Sequence, residues 1–183
     1  MSLWLLRHAS PLVAPGTCYG RLDVAADPAA TVAAAQAAAQ ALPQGARLRY
    51  SPLQRCVQLA QELLALRPDL AHDATEDPRL MEMDFGVHEG CAWSSIAPEL
   101  VQAWTDDFSR HRFGGGESVE GMMGRVASAW DAYRLSPPGD EVWVTHAGVA
   151  RAASLISQGR RSVERADAWP LDGPACGQLL CLP

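Results

Sequence analysis

The chain has 183 residues, 48% of them hydrophobic, and this length and composition support one domain with a substantial core. Its formal net charge is −6 and no basic patch stands out, so nucleic acid is not an expected partner. All fifteen basic residues are arginines, and the absence of lysine excludes a Walker A phosphate loop, a pyridoxal Schiff base and a kinase-type lysine.

The first predicted element is a short buried strand, because the apolar run Leu3–Leu6 stops abruptly at Arg7 and His8. The end of such a strand lies at the carboxyl edge of a sheet, where open α/β folds bind ligands. An arginine beside a histidine at that edge indicates an anion site. Two polar residues in solvent at a strand end are the alternative interpretation. Proline and glycine are dense in residues 9–20, which predicts a loop after the strand.

A helix, a strand and a second helix follow. The Ala-rich, Gly-free stretch Pro28–Leu42 predicts the first helix, and residues 46–50 predict the strand. Ser51 and Pro52 have the residue types of a helix cap and a first helical position. Arg55 then lies in the first turn, outside the apolar stripe of the helix. A helix N-terminus and an arginine together attract phosphate, although an exposed surface arginine is the alternative.

The middle of the chain carries weaker signals. A short strand is predicted near residues 71–74. Glu82 stands between two methionines, and a carboxyl in such an apolar pocket can serve as a proton donor near neutral pH. A carboxylate on the exposed face of a loop is the alternative. Residues 84–116 contain all three phenylalanines and two tryptophans, which predicts an excursion that covers the strand edges, with a helix near residues 95–104.

The last part of the chain has the clearest periodicity. Ser118 has the residue type of a cap, and an amphipathic helix is predicted from there to Tyr133. Residues 141–145 predict a strand, and His146 follows directly, before another helix. A last short strand is predicted at residues 178–182. Because strands alternate with helices, we expect a three-layer α/β/α sandwich with a mainly parallel sheet.

Polar residues follow the ends of three predicted strands. The ends of parallel strands gather at one edge of a sheet, and the start of the excursion adds a carboxylate there. The side chains expected to converge are Arg7, His8, Arg55, Glu82 and His146. Two guanidiniums and two imidazoles match a doubly charged phosphate monoester. With no lysine and no metal-ligand pattern, the chemistry needs a nucleophile from the protein, and histidine is a competent one.

Neither a metal nor a cofactor is expected. The five cysteines form no C-x-x-C pair, so they are interpreted as reduced residues packed as small hydrophobes. No apolar run approaches the ~20 residues of a membrane helix, and the first run, broken at Arg7, is too short for a signal peptide. These patterns predict a cytoplasmic protein without a membrane partner, and they leave the oligomeric state open.

Five short motifs stand in order along residues 3–151. They are Leu6-Arg7-His8-Ala9, Ser51-Pro52-Leu53-Gln54-Arg55, the L-x-E and G-x-x-E-G pair within residues 80–90, Gly115-Gly116-Glu117-Ser118 and Val144-Thr145-His146-Ala147-Gly148. Each motif is weak alone. Together, and in this order, they resemble the histidine phosphatase superfamily, the phosphoglycerate mutase-like proteins.

The resemblance implies a role for each polar residue of the predicted site. His8 would attack phosphorus and carry the phosphoryl group. The phosphoryl oxygens would be held by Arg7, Arg55 and His146. Glu82 would protonate the leaving oxygen and then activate water. The residues assigned to substrate binding are Ser10, Tyr19, Gly20 and His88.

The chain also departs from the family pattern. Ala9 and Ala147 stand in place of glycine, Pro11 stands where threonine is usual with no asparagine after it, and His88 replaces a tryptophan. The phosphate-binding residues are intact, so these departures concern the substrate rather than the reaction. Residues 1–183 are interpreted as one histidine phosphatase domain, with residues 84–116 as its substrate-covering excursion.

The resemblance implies a histidine acid-type phosphatase acting on a small phosphorylated metabolite. A phosphoglycerate mutase is less favoured, because the chain is short and lacks the long insertions of mutases. Residues 18–23 and the G-G-E-S motif resemble α-ribazole phosphatases, which makes α-ribazole 5′-phosphate a candidate substrate beside sugar and nucleotide phosphates. A non-catalytic binder of phosphorylated ligands on the same fold would have lost His8, Glu82 or His146, and none is lost.

Overall fold

A computed structural model describes residues 1–183 and has a five-stranded sheet at its centre. The strands are β1 (Leu3–Arg7), β2 (Arg47–Tyr50), β3 (Thr75–Glu76), β4 (Glu141–Thr145) and β5 (Leu179–Leu182). Their spatial order is β3-β2-β4-β1-β5, and all pairs are parallel except β1 with β5. Every residue of β4 is buried, as expected for an apolar strand in the middle of a parallel sheet.

Helices cover both faces of the sheet. They are α1 (Pro28–Ala41), α2 (Gln54–Leu66), α3 (Pro98–Asp106), α4 (Val119–Leu135) and α5 (Ala147–Ser157). Apolar side chains of α1 and α2 pack on one face, against Leu48 and Val144, while α4 and α5 pack on the other, against Leu5 and Trp143. The predicted three-layer α/β/α sandwich with a mainly parallel sheet is therefore confirmed.

Side-chain caps fix the starts of two helices. The carboxylate of Asp27 accepts a hydrogen bond from Ala30 N at the start of α1, and Ser118 Oγ accepts one from Gly121 N at the start of α4. Such caps satisfy N–H groups that have no partner within a helix. The predicted cap at Ser118 is thus confirmed. None of the helices combines the length and the apolar character that a membrane span requires.

Two local predictions are wrong in their bounds. The helix α2 begins at Gln54 rather than at Pro52, because Ser51 Oγ accepts a hydrogen bond from Leu53 N (3.3 Å) and supports a turn before the helix. The short strand predicted near residues 71–74 is displaced, because it forms at Thr75–Glu76 and does not include residues 71–74. They belong mostly to a 3₁₀ helix at Pro68–Asp73, whose start is set by the fixed φ of proline.

Residues 84–116 contain α3 and three 3₁₀ turns. The predicted helix in this segment exists, but it starts at Pro98, the first helical position, rather than near residue 95. The rings of Phe85 and Phe113 pack on Trp104, with centroids 6.0 and 4.7 Å away, and hold the segment together. The single-domain interpretation of residues 1–183 and the substrate-covering role of residues 84–116 stay predictions.

Candidate active site

Two histidines meet at the carboxyl edge of the sheet. Arg7 and Thr145 are paired in register at the ends of the adjacent parallel strands β1 and β4, so the residues that follow them emerge side by side. His8 N donates a hydrogen bond to Thr145 O (3.0 Å), and the imidazole centroids of His8 and His146 lie 5.1 Å apart. Both side chains are buried. The predicted proximity of these two residues is therefore found.

A backbone carbonyl determines the tautomer of His8. Its Nδ1 lies 2.7 Å from Ala9 O, and a carbonyl can only accept, so Nδ1 carries the proton and Nε2 keeps its lone pair. Burial, followed by the positive charge of Arg55, lowers the pKa of His8 from 6.5 to about 3. At neutral pH the imidazole is therefore uncharged, which is the state that a nucleophile needs.

His146 is the N-cap residue of α5, and its ring has one partner in the β2–α2 connection and one in α2. Its Nε2 lies 2.8 Å from Ser51 Oγ and 3.4 Å from the buried Cys56 Sγ. Burial, followed by the charges of Arg55 and His8, lowers the pKa of His146 well below its usual value. An incoming dianion would act in the opposite direction on both histidines, because an opposite charge favours the protonated form.

Arg55 is fully buried although it lies outside the apolar stripe of α2, so the alternative of an exposed surface arginine is wrong. Its Nη2 donates to Gly20 O (2.6 Å) and its Nη1 to Leu22 O (2.9 Å). The guanidinium carbon also lies 5.5 Å from the ring centroid of Tyr19. Carbonyl dipoles and an aromatic face thus solvate the buried charge in place of water.

Arg7 provides the second guanidinium and is half-buried. Its Nη1 donates to Pro174 O (3.1 Å), in the segment before β5. Arg7 and Arg55 both contribute to the lowered pKa values of His8 and His146. The four side chains therefore share one electropositive environment, as the sequence predicted.

Glu82 lies at the other side of the site, at the N-terminus of α5. Its Oε2 accepts a hydrogen bond from Gly148 N (3.0 Å), and its Oε1 accepts one from Met83 N (3.1 Å). The carboxylate also lines a cavity of about 220 Å³ together with Tyr19, Met83 and Gly148. It is half-buried, which excludes the alternative of an exposed loop carboxylate.

The loop that carries Glu82 is held by a residue that the sequence analysis missed. Arg125, on α4, donates Nη1 to the carbonyls of Arg79 (2.8 Å) and Met81 (2.5 Å) and Nη2 to that of Glu82 (3.2 Å). Its Nε and Nη2 also bind the carboxylate of Glu117. Glu117 belongs to the G-G-E-S motif, and this motif was the only feature of the sequence that pointed to its contact with Arg125.

The loop that carries Gly20 is held by a second missed residue. The carboxylate of Glu89 accepts hydrogen bonds from the backbone N–H groups of Gly20, Arg21, Leu22 and Phe85, at 2.8 to 3.1 Å. The same loop supplies the carbonyls that bind Arg55. Glu89 belongs to the E-G pair of the third motif, but the motif alone indicates no role for its side chain.

The four residues assigned to substrate binding have different environments. Tyr19 lines the cavity beside Glu82. Gly20 is buried, and a Cβ there would collide with Met83 O, so its lack of a side chain is a packing requirement. Ser10 is exposed, and His88 packs on Phe113 (4.5 Å between centroids) away from the cavity wall. Their assignment to substrate binding stays a prediction.

The chain matches a sequence profile, Histidine phosphatase superfamily (branch 1), over residues 3–176. Mycobacterial glucosyl-3-phosphoglycerate phosphatase Rv2419c superposes with a TM-score of 0.81 at 23% identity, covering 98% of this chain and 88% of that one. Its complex with inorganic phosphate superposes with a TM-score of 0.80 at 23% identity, covering 100% of this chain and 89% of that one.

The protein TTHB049 from Thermus thermophilus superposes with a TM-score of 0.70 at 26% identity, covering 100% of this chain and 93% of that one. A comparison with curated proteins finds no significant match. The profile extends over nearly the whole chain. The chain therefore belongs to branch 1 of the histidine phosphatase superfamily.

Proposed function

We propose that the protein hydrolyses a small phosphate monoester through a phosphohistidine intermediate at His8. The main support is the pair of buried imidazoles, 5.1 Å apart between centroids, in the field of Arg7 and Arg55. An uncharged histidine with a free Nε2 is a nucleophile, and the surrounding guanidiniums attract the dianionic group that it attacks.

In the first step, Nε2 of His8 forms a bond to phosphorus while the bond from phosphorus to the ester oxygen breaks. Glu82 gives its proton to that oxygen, and the alcohol leaves. The Nδ1–H of His8 keeps its hydrogen bond to Ala9 O, which orients the ring and stabilises the positive charge that the imidazole acquires.

In the second step, water attacks phosphorus and Glu82 takes its proton. The bond between phosphorus and Nε2 breaks, orthophosphate leaves, and His8 returns to its neutral form. The backbone N–H of Gly148 holds one oxygen of Glu82, so the carboxylate stays in place between the two proton transfers.

Arg7, Arg55 and His146 hold the phosphoryl oxygens in this proposal. They stabilise the charge that develops on those oxygens in the transition state, and removal of one such donor typically costs about 2.7–4 kcal/mol. A bound dianion opposes the lowering of the His146 pKa in the free site, because an opposite charge favours the protonated imidazole.

A mutase-type phosphoryl transfer is the alternative on this fold. It requires a phosphoenzyme protected from water, whereas Glu82 is only half-buried. A non-catalytic binder of phosphorylated ligands needs no acid and no nucleophile, yet the chain keeps Glu82 and His8. These two observations favour hydrolysis over both alternatives.

The substrate is proposed as a class only. Glucosyl-3-phosphoglycerate, the substrate in the name of the mycobacterial neighbour, and α-ribazole 5′-phosphate are both candidates, together with sugar and nucleotide phosphates. Release of orthophosphate from a panel of such metabolites, measured beside p-nitrophenyl phosphate, ranks them by kcat/KM. If α-ribazole 5′-phosphate is turned over no better than p-nitrophenyl phosphate, that specific candidate is wrong.

Two variants test the reaction. His8→Ala is expected to abolish phosphate release, and alkaline quenching followed by mass spectrometry is expected to find phosphate on the peptide that contains His8 in the wild type. Glu82→Gln keeps one of the two acceptor oxygens but cannot transfer a proton, so the phosphoenzyme is expected to persist longer. Turnover that survives His8→Ala would falsify the assignment of the nucleophile. Transfer from 2,3-bisphosphoglycerate faster than phosphate release would indicate a mutase.

A further inference from the structure

The cavity beside Glu82 has a mostly apolar lining. Eight of its eleven lining residues are hydrophobic, and its volume is about 220 Å³. Glu82 and Tyr19 stand at its boundary with the phosphate-binding residues, since the Tyr19 ring lies beneath the guanidinium of Arg55. The alcohol that Glu82 protonates therefore has to lie in or beside this cavity.

Four aromatic rings form one continuous wall of the cavity. Phe85 meets Trp104 edge to face with centroids 6.0 Å apart, and Trp104 stacks on Phe108 at 5.6 Å. Phe108 in turn meets Trp169 at 6.1 Å. These distances are typical of favourable aromatic pairs, so the four rings pack on one another as one continuous surface.

The wall joins two distant segments of the chain. Phe85, Trp104 and Phe108 come from residues 84–116, whereas Trp169 comes from the segment between α5 and β5. Arg151 of α5 fixes that second segment, because its Nη2 donates to Leu171 O (3.0 Å). Arg151 also lines the cavity and, with Glu82, is one of its two charged residues.

This lining discriminates between kinds of alcohol. A polyol would bury several hydroxyl groups in a lining that offers them few partners, chiefly the donors of Tyr19, Trp104 and Arg151, and unsatisfied polar groups are costly to bury. A flat apolar ring finds stacking surfaces instead. The volume is also suitable, because an apolar cavity of roughly 150 Å³ already holds benzene.

We infer that the alcohol part of the substrate carries a flat aromatic group of one or two rings, which this cavity receives. The inference rests on the proposed phosphatase function, because the cavity is assigned to the leaving alcohol through Glu82. It makes Trp169 and Trp104 specificity-determining residues that contact the aromatic group, while the histidines and arginines hold the phosphoryl group.

The test compares two esters of primary alcohols, 2-naphthylmethyl phosphate and glycerol 3-phosphate. The reacting bond is of the same kind in both, so the ratio of their kcat/KM values reports mainly on the alcohol site. We expect the naphthylmethyl ester to be favoured at least about tenfold. Trp169→Ala is expected to reduce this ratio about tenfold, because it removes one end of the aromatic wall.

Leu171→Ala is the matched control. Leu171 lies two residues away in the same segment, its side chain is 91% exposed, and the carbonyl that binds Arg151 is retained. The control is expected to keep the wild-type ratio.

The possible results separate the two proposals. If neither ester releases phosphate, the proposed function fails. If both esters are hydrolysed with equal kcat/KM by the wild type, the phosphatase function stands and the aromatic preference is overturned. A ratio that responds equally to Trp169→Ala and Leu171→Ala, or to neither, overturns the assignment of the aromatic group to this cavity.

Discussion

Glu117 and Arg125 form a two-point salt bridge that organises the backbone around the candidate acid. Arg125 Nε lies 2.7 Å from Oε1 of Glu117 and Nη2 lies 2.9 Å from Oε2, and both side chains are mostly buried. The remaining donors of Arg125 hold the carbonyls that precede and include Glu82. A carboxylate outside the reaction thus orients, through one guanidinium, the loop that positions the acid.

Replacing Glu117 with glutamine is expected to lower both stability and turnover. The amide accepts only one of the two hydrogen bonds of Arg125 and carries no charge, so the free energy of unfolding should fall by about 1.5–3 kcal/mol. The looser loop should reduce kcat more than it raises KM, because the proposed proton transfer depends on the placement of Glu82. Urea unfolding and steady-state kinetics measure the two effects.

Asp131→Asn is the matched control for that variant. Asp131 also forms a two-point pair with an arginine, Arg161, but both side chains are about half exposed. Exposed pairs contribute about 0–1 kcal/mol, so stability should change little and kcat should be retained. Equal losses in the two variants would contradict the organising role of Glu117.

The positions of the two histidines of the candidate site could be predicted from sequence because they follow from local pattern and sheet geometry. The apolar run before Arg7 and the β-branched run before His146 each predict a strand, and parallel strands bring their ends to one edge. The long separation of His8 and His146 along the chain is irrelevant once both strands lie in one sheet. The register of β1 with β4 then places the imidazoles beside each other.

The supporting contacts could not be predicted in this way. Arg125 binds three carbonyls and Glu89 binds four backbone N–H groups, and every residue carries those groups, so no residue type marks the partners. The burial of Arg55 also escaped prediction, because loop carbonyls rather than a side-chain counter-ion satisfy its charge. Hydrophobic periodicity reports local structure and contains no information on such contacts.

Glu89→Gln is expected to weaken phosphate binding without removing a catalytic group. Glu89 holds the N–H groups of residues 20–22 while Arg55 holds the carbonyls of Gly20 and Leu22, so the loop is fixed from both sides. A glutamine offers one acceptor oxygen in place of two. Because the loop would then hold Arg55 less firmly, kcat/KM should fall roughly 10-fold or more. A tenfold fall corresponds to a loss of about 1.4 kcal/mol of transition-state stabilisation.

Glu99→Gln provides the comparison for this variant. Glu99 is an exposed residue in the first turn of α3 and makes no hydrogen bond with the loop of residues 20–22. Its replacement should leave kcat/KM for phosphate esters unchanged. Isothermal titration with inorganic phosphate gives a second readout, in which only Glu89→Gln should show a raised Kd.

Stability is expected to decrease in acid because of the buried histidines. The pKa of His8 is lowered from 6.5 to about 3 by burial and then by Arg55, and that of His146 is lowered in the same direction. Between pH 6.5 and about pH 3, His8 binds a proton in the unfolded chain but not in the folded protein. The stability contribution of neutral His8 is therefore complete above pH 6.5 and is lost progressively as the pH falls towards 3.

At pH 5 the free energy of unfolding is lower by about 2 kcal/mol because of His8 alone. Urea unfolding at pH 7.5 and at pH 5 measures this decrease. The His8→Asn variant lacks the titrating group, so its free energy of unfolding should decrease by about 2 kcal/mol less than that of the wild type. The decrease that remains in the variant includes His146. Identical pH dependence in the wild type and in His8→Asn would show that His8 already titrates normally in the folded protein.

Gly148→Ala is expected to inactivate the protein while leaving it folded. A Cβ at Gly148 would collide with Oε1 of Glu82, and the end of that flexible side chain can move away at small cost. The carboxylate would then lose its hydrogen bond from Gly148 N and its place beside the phosphoryl group. A displacement of about 1 Å at a reacting group can reduce kcat roughly 100-fold.

Gly124→Ala makes the same change at an exposed position of α4 with no neighbour within 4 Å, so it should retain kcat and gain about 1 kcal/mol of stability. Full activity in Gly148→Ala would mean that Glu82 need not occupy this position during turnover, and the proposed proton transfer would have to be assigned to another group.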